Sequence, residues 1–144
     1  MTFVPHTEVD YDIANSYLSV ADADDIILKQ NNSAVWGSLD APTKQMLLMQ
    51  ASISIDSALS YQGAKTLETQ VLKFPRNGSL ALPRNILFAT AITALKYSND
   101  DIFRGVSREK IAKHETDYFQ GKEIDESVLV FLKPLKLRGL KLNE

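Results

Sequence analysis

The chain has 144 residues, a formal charge of −2 and no cysteine. That length favours one domain with an ordinary hydrophobic core, and the missing cysteines exclude disulfides, thiolate metal sites and cysteine nucleophiles. No apolar run approaches the roughly 18 residues of a membrane span, and the opening Met-Thr-Phe-Val-Pro-His-Thr-Glu lacks the basic and apolar regions of a signal peptide, so a soluble, non-secreted protein is expected.

The small net charge hides an asymmetry. Residues 1–72 hold three lysines, no arginine and nine carboxylates, or −6; residues 73–144 hold thirteen cations and nine carboxylates, or +4. The two halves can be ordinary solvated faces. They can also be the acidic and basic sides of a subunit that stacks head to tail on copies of itself, a contact that closes into rings.

Residues 1–18 read as irregular because of Pro5 and its polar neighbours; residues 1–16 are expected to be flexible or ordered by a partner. Ser19, with Asp22 three residues on, resembles a capping box. Val20, Ala23, Ile26 and Ile27 then share one helical face, and the helix is expected to end near Asn31-Asn32. Asp22, Asp24 and Asp25 suit the positive end of that helix and lack the spacing of a cation-binding loop. Trp36, the single tryptophan, is expected between helices as a packing anchor. Asp40 and Pro42 open a second helix, with an apolar stripe of Leu47, Ala51, Ile55, Ala58 and Leu59. Met46 and Met49 flank the stripe as core fillers, and Gly63 is placed to end the helix in a left-handed conformation.

The stretch from Tyr61 to Arg84 fits no single helical face. Pro75 keeps Lys73-Phe74 extended and Asn77-Gly78 signals a tight turn. A segment this long without regular structure is usually functional or tied down by side chains. Gln70 can satisfy loop backbone groups, Phe74 can plug the loop onto the core, Pro75 and Pro83 fix the chain's direction, and Arg76 can bind carbonyls at a helix C-terminus or a carboxylate, including one on a neighbouring subunit. Pro83 leads into a third helix that is apolar nearly all round from Ile86 to Leu95 and is therefore expected at the centre of the core, stopping near Ser98-Asn99-Asp100. Residues 104–120 fit either a helix or, over 106–118, a two-stranded ribbon. Asp125 to Leu132 reads as a short helix stopped by Pro134. Residues 133–144 alternate cationic and aliphatic side chains, as a frayed tail or a strand that pairs with a neighbour.

Catalytic signatures are weak. His6 and His114 are the only histidines, and no phosphate loop, zinc-protease helix or nucleophile elbow appears. No catalytic, metal or cofactor residue is assigned. Single-strand binding has some support: Arg76, Arg84, Arg104, Arg108, Lys110 and Lys113 lie among Phe74, Tyr97, Phe103 and Tyr118, the mixture of cations and stacking rings such binders use. The pI near 5.7 is low for that class.

Taken in order, Tyr61-x-Gly63, Gln70-x-Leu72-x-Phe74-Pro75-Arg76 and Leu82-Pro83 before an apolar helix, preceded by Tyr17, Ala23 and Trp36, resemble the small head–tail connector proteins of tailed bacteriophages and prophages. Relatives there are described as DnaT-like single-stranded-DNA-binding proteins. Phe74 stands where that family more often has Trp, and the resemblance runs from about Tyr17 to Tyr118. It implies a mainly helical bundle of three to five helices with a long ordered loop and a short β element, which favours the ribbon for 106–118. It implies rings of about twelve subunits at the head–tail junction of the virion, assembled in the host cytoplasm. Portal and tail-completion proteins would be the partners, with DNA passing through the lumen without sequence specificity and no membrane, cofactor or catalysis. The motif residues Tyr61, Gly63, Gln70, Leu72, Phe74, Pro75, Arg76, Pro83 and Arg84 would form its loop and interface; Arg104, Arg108, Lys110 and Lys113 would face DNA or a neighbouring subunit. The alternative is a single-stranded-DNA-binding accessory protein.

Overall fold

A computed structural model describes residues 2–100 and 126–136. Residues 104–120, with Arg104, Arg108, Lys110, Lys113 and the choice between helix and ribbon, lie outside the described residues, as do Asp125 and the tail from residue 137.

Among the described residues the chain is mainly helical. Helix α1, Val20–Ile27, starts where Ser19 Oγ accepts the Asp22 N–H. It ends before the expected Asn31-Asn32, because the chain turns over residues 28–33 and Asn32 takes a left-handed φ of 63°. A short helix α2, Ala34–Ser38, follows. Trp36 therefore lies inside a helix rather than between two, and it is fully buried. Helix α3, Ala41–Ala58, is capped by Asp40, which accepts the Thr43 N–H at 3.1 Å. Helix α4, Arg84–Ser98, follows Pro83, and helix α5, Glu126–Leu132, runs into a 3₁₀ turn at Lys133–Leu135.

Helix α4 packs against α1, α2, α3 and α5. Its near-continuous apolar sequence requires neighbours on most sides. Two buried clusters show that α3 and α4 run antiparallel. One joins Leu47, Leu48 and Ala51 of α3 to Ala91, Ala94 and Leu95 of α4, and encloses Trp36 and Ile27. The other joins Ile55 to Ile86 and Ala89, and adds Tyr17, Tyr61, Leu72, Phe74, Val128 and Leu132.

Helix α3 departs from a single apolar stripe: Lys44, Gln50, Ser52 and Ser54 are buried beside Leu47 and Ile55. The serines stay satisfied. Ser52 Oγ donates to the Leu48 carbonyl and accepts the Tyr17 N–H, and Ser54 Oγ lies 2.6 Å from the Tyr97 hydroxyl. Residues 2–18 cross this surface, with Asn15 bridging Thr2 and Val4 and the His6 N–H reaching the Ser16 carbonyl.

Asp24 departs from its expected role too. Its carboxylate accepts the Trp36 indole N–H at 2.8 Å and the Lys44 ammonium at 3.1 Å, so it is a core tie rather than a helix-end charge.

Candidate functional site

Residues 59–83 form an ordered loop on the α3–α4 end that holds Ile55 and Ile86. Helix α3 gives out at Ala58 with Leu59 already extended. Gly63 therefore does not end the helix. It has a φ of +78°, and a Cβ there would lie 1.9 Å from Asn77 Oδ1. Its role is to let the Asn77 amide lie against the backbone, where Oδ1 accepts the Ala64 N–H. Short pairings follow, Asn77 N–H to the Ala64 carbonyl and Thr66 N–H to the Pro75 carbonyl. Asn77 and Gly78, with φ of 59° and 79°, make the tight turn that leads to Ser79. The Phe74-Pro75 peptide is cis.

Gln70 is buried at 2 % exposure, and its amide is fully used on the loop. Oε1 accepts the Leu67 N–H, and Nε2 donates to the Leu72 and Pro75 carbonyls, all at 2.9 Å. A buried loop needs such an internal source of hydrogen bonds, because no helix or sheet ladder supplies them. Phe74 is 4 % exposed and meets Tyr61 and Tyr17 edge-on, with centroids 4.9 and 6.2 Å away.

Arg76 lies with its guanidinium over the Phe74 ring, 5.7 Å from the centroid. Nε donates to the Gln62 carbonyl, Nη1 to Lys73, and Nη2 to Tyr61 and Gly63. The acceptors are loop carbonyls, not a helix terminus or a carboxylate. Four of the five N–H bonds an arginine offers are thus committed. Arg84 stands apart: it is exposed at the start of α4, 5.9 Å from the Phe88 centroid. Pro83 occupies the N-cap position of α4.

Two residues carry more of the site than sequence reasoning gave them. The Asp56 carboxylate accepts the Tyr17 hydroxyl and the Lys73 N–H, the latter at 3.1 Å. The Tyr17 oxygen in turn accepts the Phe74 N–H at 3.2 Å. Burial pushes the Asp56 carboxyl up to about 6, although Tyr17, Lys73 and Lys65 all favour its charged form. Burial, then the nearby Asp56 charge, pushes the Tyr17 phenol well above its ordinary range. The Tyr61 phenol is raised for the same two reasons, against the opposing charge of Arg76. A signal for Asp56 was present: an acid in the last turn of a helix opposes the helix dipole, so it needs a local reason.

Beside this network lies a cleft of about 300 Å³. Phe74, Leu82, Pro83 and Leu135 supply its apolar wall, Gln62, Asn77 and Ser79 its polar rim, and Arg76 and Ala81 also line it. No carboxylate among the described residues lines it. The chain closes it from the C-terminal side, where the Gln62 N–H binds the Leu135 carbonyl and Gln62 Nε2 donates to Lys136. The loop thus brings Tyr61, Gly63, Phe74, Arg76 and Pro83 together, while Arg84 is not among the lining residues of the cleft and lies over the Phe88 ring just beyond Pro83.

A family model described as "Putative DnaT-like ssDNA binding protein" matches residues 1–133. The chain belongs to this DnaT-like family. The match includes all the loop residues above and every described helix. No curated protein and no solved structure matches the chain. No helix among the described residues is long and apolar enough to cross a membrane, and none of their His, Asp and Glu side chains group as a metal site.

Proposed function

We propose that this protein binds single-stranded DNA, without catalysis and without sequence specificity, as an accessory protein. The family match over residues 1–133 carries the reading. The charge pattern supports it. Arg84, Lys133 and Lys136 are exposed, and none pairs with a carboxylate among the described residues. The adjoining sequence adds Arg104, Arg108, Lys110 and Lys113 to the same basic half. Fluorescence anisotropy with a labelled oligothymidylate tests it. Affinity is expected to fall steeply with salt, with a log–log slope of about −0.7 for each phosphate neutralised. No binding at about 50 mM salt, where such contacts are strongest, overturns it.

A second reading, a connector-ring subunit at the head–tail junction of a virion, is favoured by a different observation. Gln70 and Arg76 spend their hydrogen bonds on their own loop, which suits a stiff subunit module, and the −6 and +4 halves suit head-to-tail stacking. In that reading the partners are further copies of the chain, portal and tail-completion proteins, with DNA in the lumen and assembly in the host cytoplasm. Light scattering of the chain alone and with purified portal tests it; a monomer that stays monomeric and unbound in both samples rules the ring out.

A further inference from the structure

The cleft beside Arg76 combines features that a plain packing defect does not need. Arg76 is flat, cationic and immobilised, with four donors already bound to loop carbonyls. That arrangement forecloses the fork by which arginine usually grips a phosphate. It leaves a guanidinium plate resting on Phe74, and such plates stack on unpaired bases. Leu82 and Pro83 extend the apolar wall.

The rim completes the pattern. Asn77 Oδ1 accepts the Ala64 N–H, which leaves Nδ2 as a donor with no partner among the described residues. Gln62 Nε2 donates to Lys136, which leaves Oε1 as an acceptor in the same condition. One free donor and one free acceptor thus border a single apolar cleft. Exposed cations flank it in the chain: Arg84 follows Pro83, and Lys136 follows Leu135.

We propose that this cleft is a nucleobase subsite, in which one base of a single strand stacks against Arg76 and Pro83, meets Asn77 and Gln62 at its edge, and has its flanking phosphates held by Arg84 and Lys136. The assignment rests on the DNA-binding reading above. A purely apolar occupant would bury the Asn77 and Gln62 amides without partners, which is costly. A bare anion would gain nothing from Leu82 and Pro83, and Arg76 has little left to offer it. A nucleotide uses both kinds of surface. The volume, about 300 Å³, lies at the small end of ligand pockets and suits one heterocycle.

The test compares an oligothymidylate of about twelve nucleotides with an abasic oligomer of equal length and charge, at about 50 mM salt, on the full chain. The base-bearing strand is expected to bind about tenfold tighter or better. Ala81→Trp, at an exposed position that lines the cleft, is expected to fill it and reduce the oligothymidylate to the abasic level, with an unchanged thermal melt. Equal binding of the two oligomers overturns the subsite and leaves the DNA-binding reading standing. So does a thymidylate preference that survives a folded Ala81→Trp. Failure of both oligomers to bind overturns the subsite and the DNA-binding reading together. The oligomer comparison needs no variant, so a misfolded Ala81→Trp does not remove the test.

Discussion

The Asp56 carboxyl makes the stability of this fold depend on pH in an unusual direction. Its folded-state value lies near 6 because burial outweighs its bonds from Tyr17 and Lys73. In the unfolded chain it ionises near the ordinary value of 3.8. Between those values the folded protein holds a proton that the unfolded chain has released. Stability from this group is therefore complete below about pH 4, falls as pH rises to about 6, and is level above that. At about 1.4 kcal/mol per pH unit, the interval is worth about 3 kcal/mol. Urea melts from about pH 4 to 7 on the native chain and on Asp56→Asn measure it. The asparagine cannot ionise, yet its Oδ1 can still accept from Tyr17 or Lys73. The difference between the two curves should change by about 3 kcal/mol across that range, with the native chain losing ground as pH rises. Parallel curves, or a native chain that gains on the variant, would refute the assignment of a buried, late-ionising carboxyl.

The remaining expectations concern the loop and the Trp36 tie. Phe74→Ala should cost about 3–5 kcal/mol in urea unfolding, since the ring is 4 % exposed; a loss below about 1 kcal/mol would show that the ring is not packed as described. Gly63→Ala should cost at least about 1–2 kcal/mol for the left-handed backbone alone, and more for the collision with Asn77. Adding Asn77→Gly should recover the collision part, and no recovery would refute the steric account. Asp24→Ala should cost about 1–3 kcal/mol by leaving the Trp36 N–H without its acceptor, with a change in tryptophan fluorescence as a local reporter.

Local features were the ones legible in the chain itself. Ser19 and Asp40 cap helices because a cap needs only its own next few residues, and Pro83 opens α4 for the same reason. Individual helices followed from caps and apolar periodicity, the central place of α4 from a stretch that is apolar nearly all round, and the mainly helical class from the family resemblance. What escaped were pairings between residues far apart in sequence. Asp24 looked like a helix-end charge because Trp36 and Lys44, its partners, are 12 and 20 positions away. Gly63 looked like a helix stop because its neighbour Asn77 lies fourteen positions on. The position of Arg76 among carbonyls could be anticipated in kind but not in target, since the acceptors exist only once the loop has folded.

Those pairings also decide which residues are free to meet a partner. A loop with no ladder must satisfy its backbone from side chains, and here Gln70, Arg76 and Asp56 do it between them. Having done so, Gln70 and Asp56 have little capacity for anything else, and Arg76 keeps only its flat face. In the proposed subsite, recognition would then fall to the flat face of Arg76 with Pro83, to Asn77 Nδ2 and Gln62 Oε1, which have no partner among the described residues, and to the exposed Arg84 and Lys136. The side chains that hold the loop and the groups proposed to meet a strand are then adjacent sets that share Arg76. Substitutions in the first set should act through stability. Those in the second should act through affinity and its salt dependence, which is how the two roles separate by experiment.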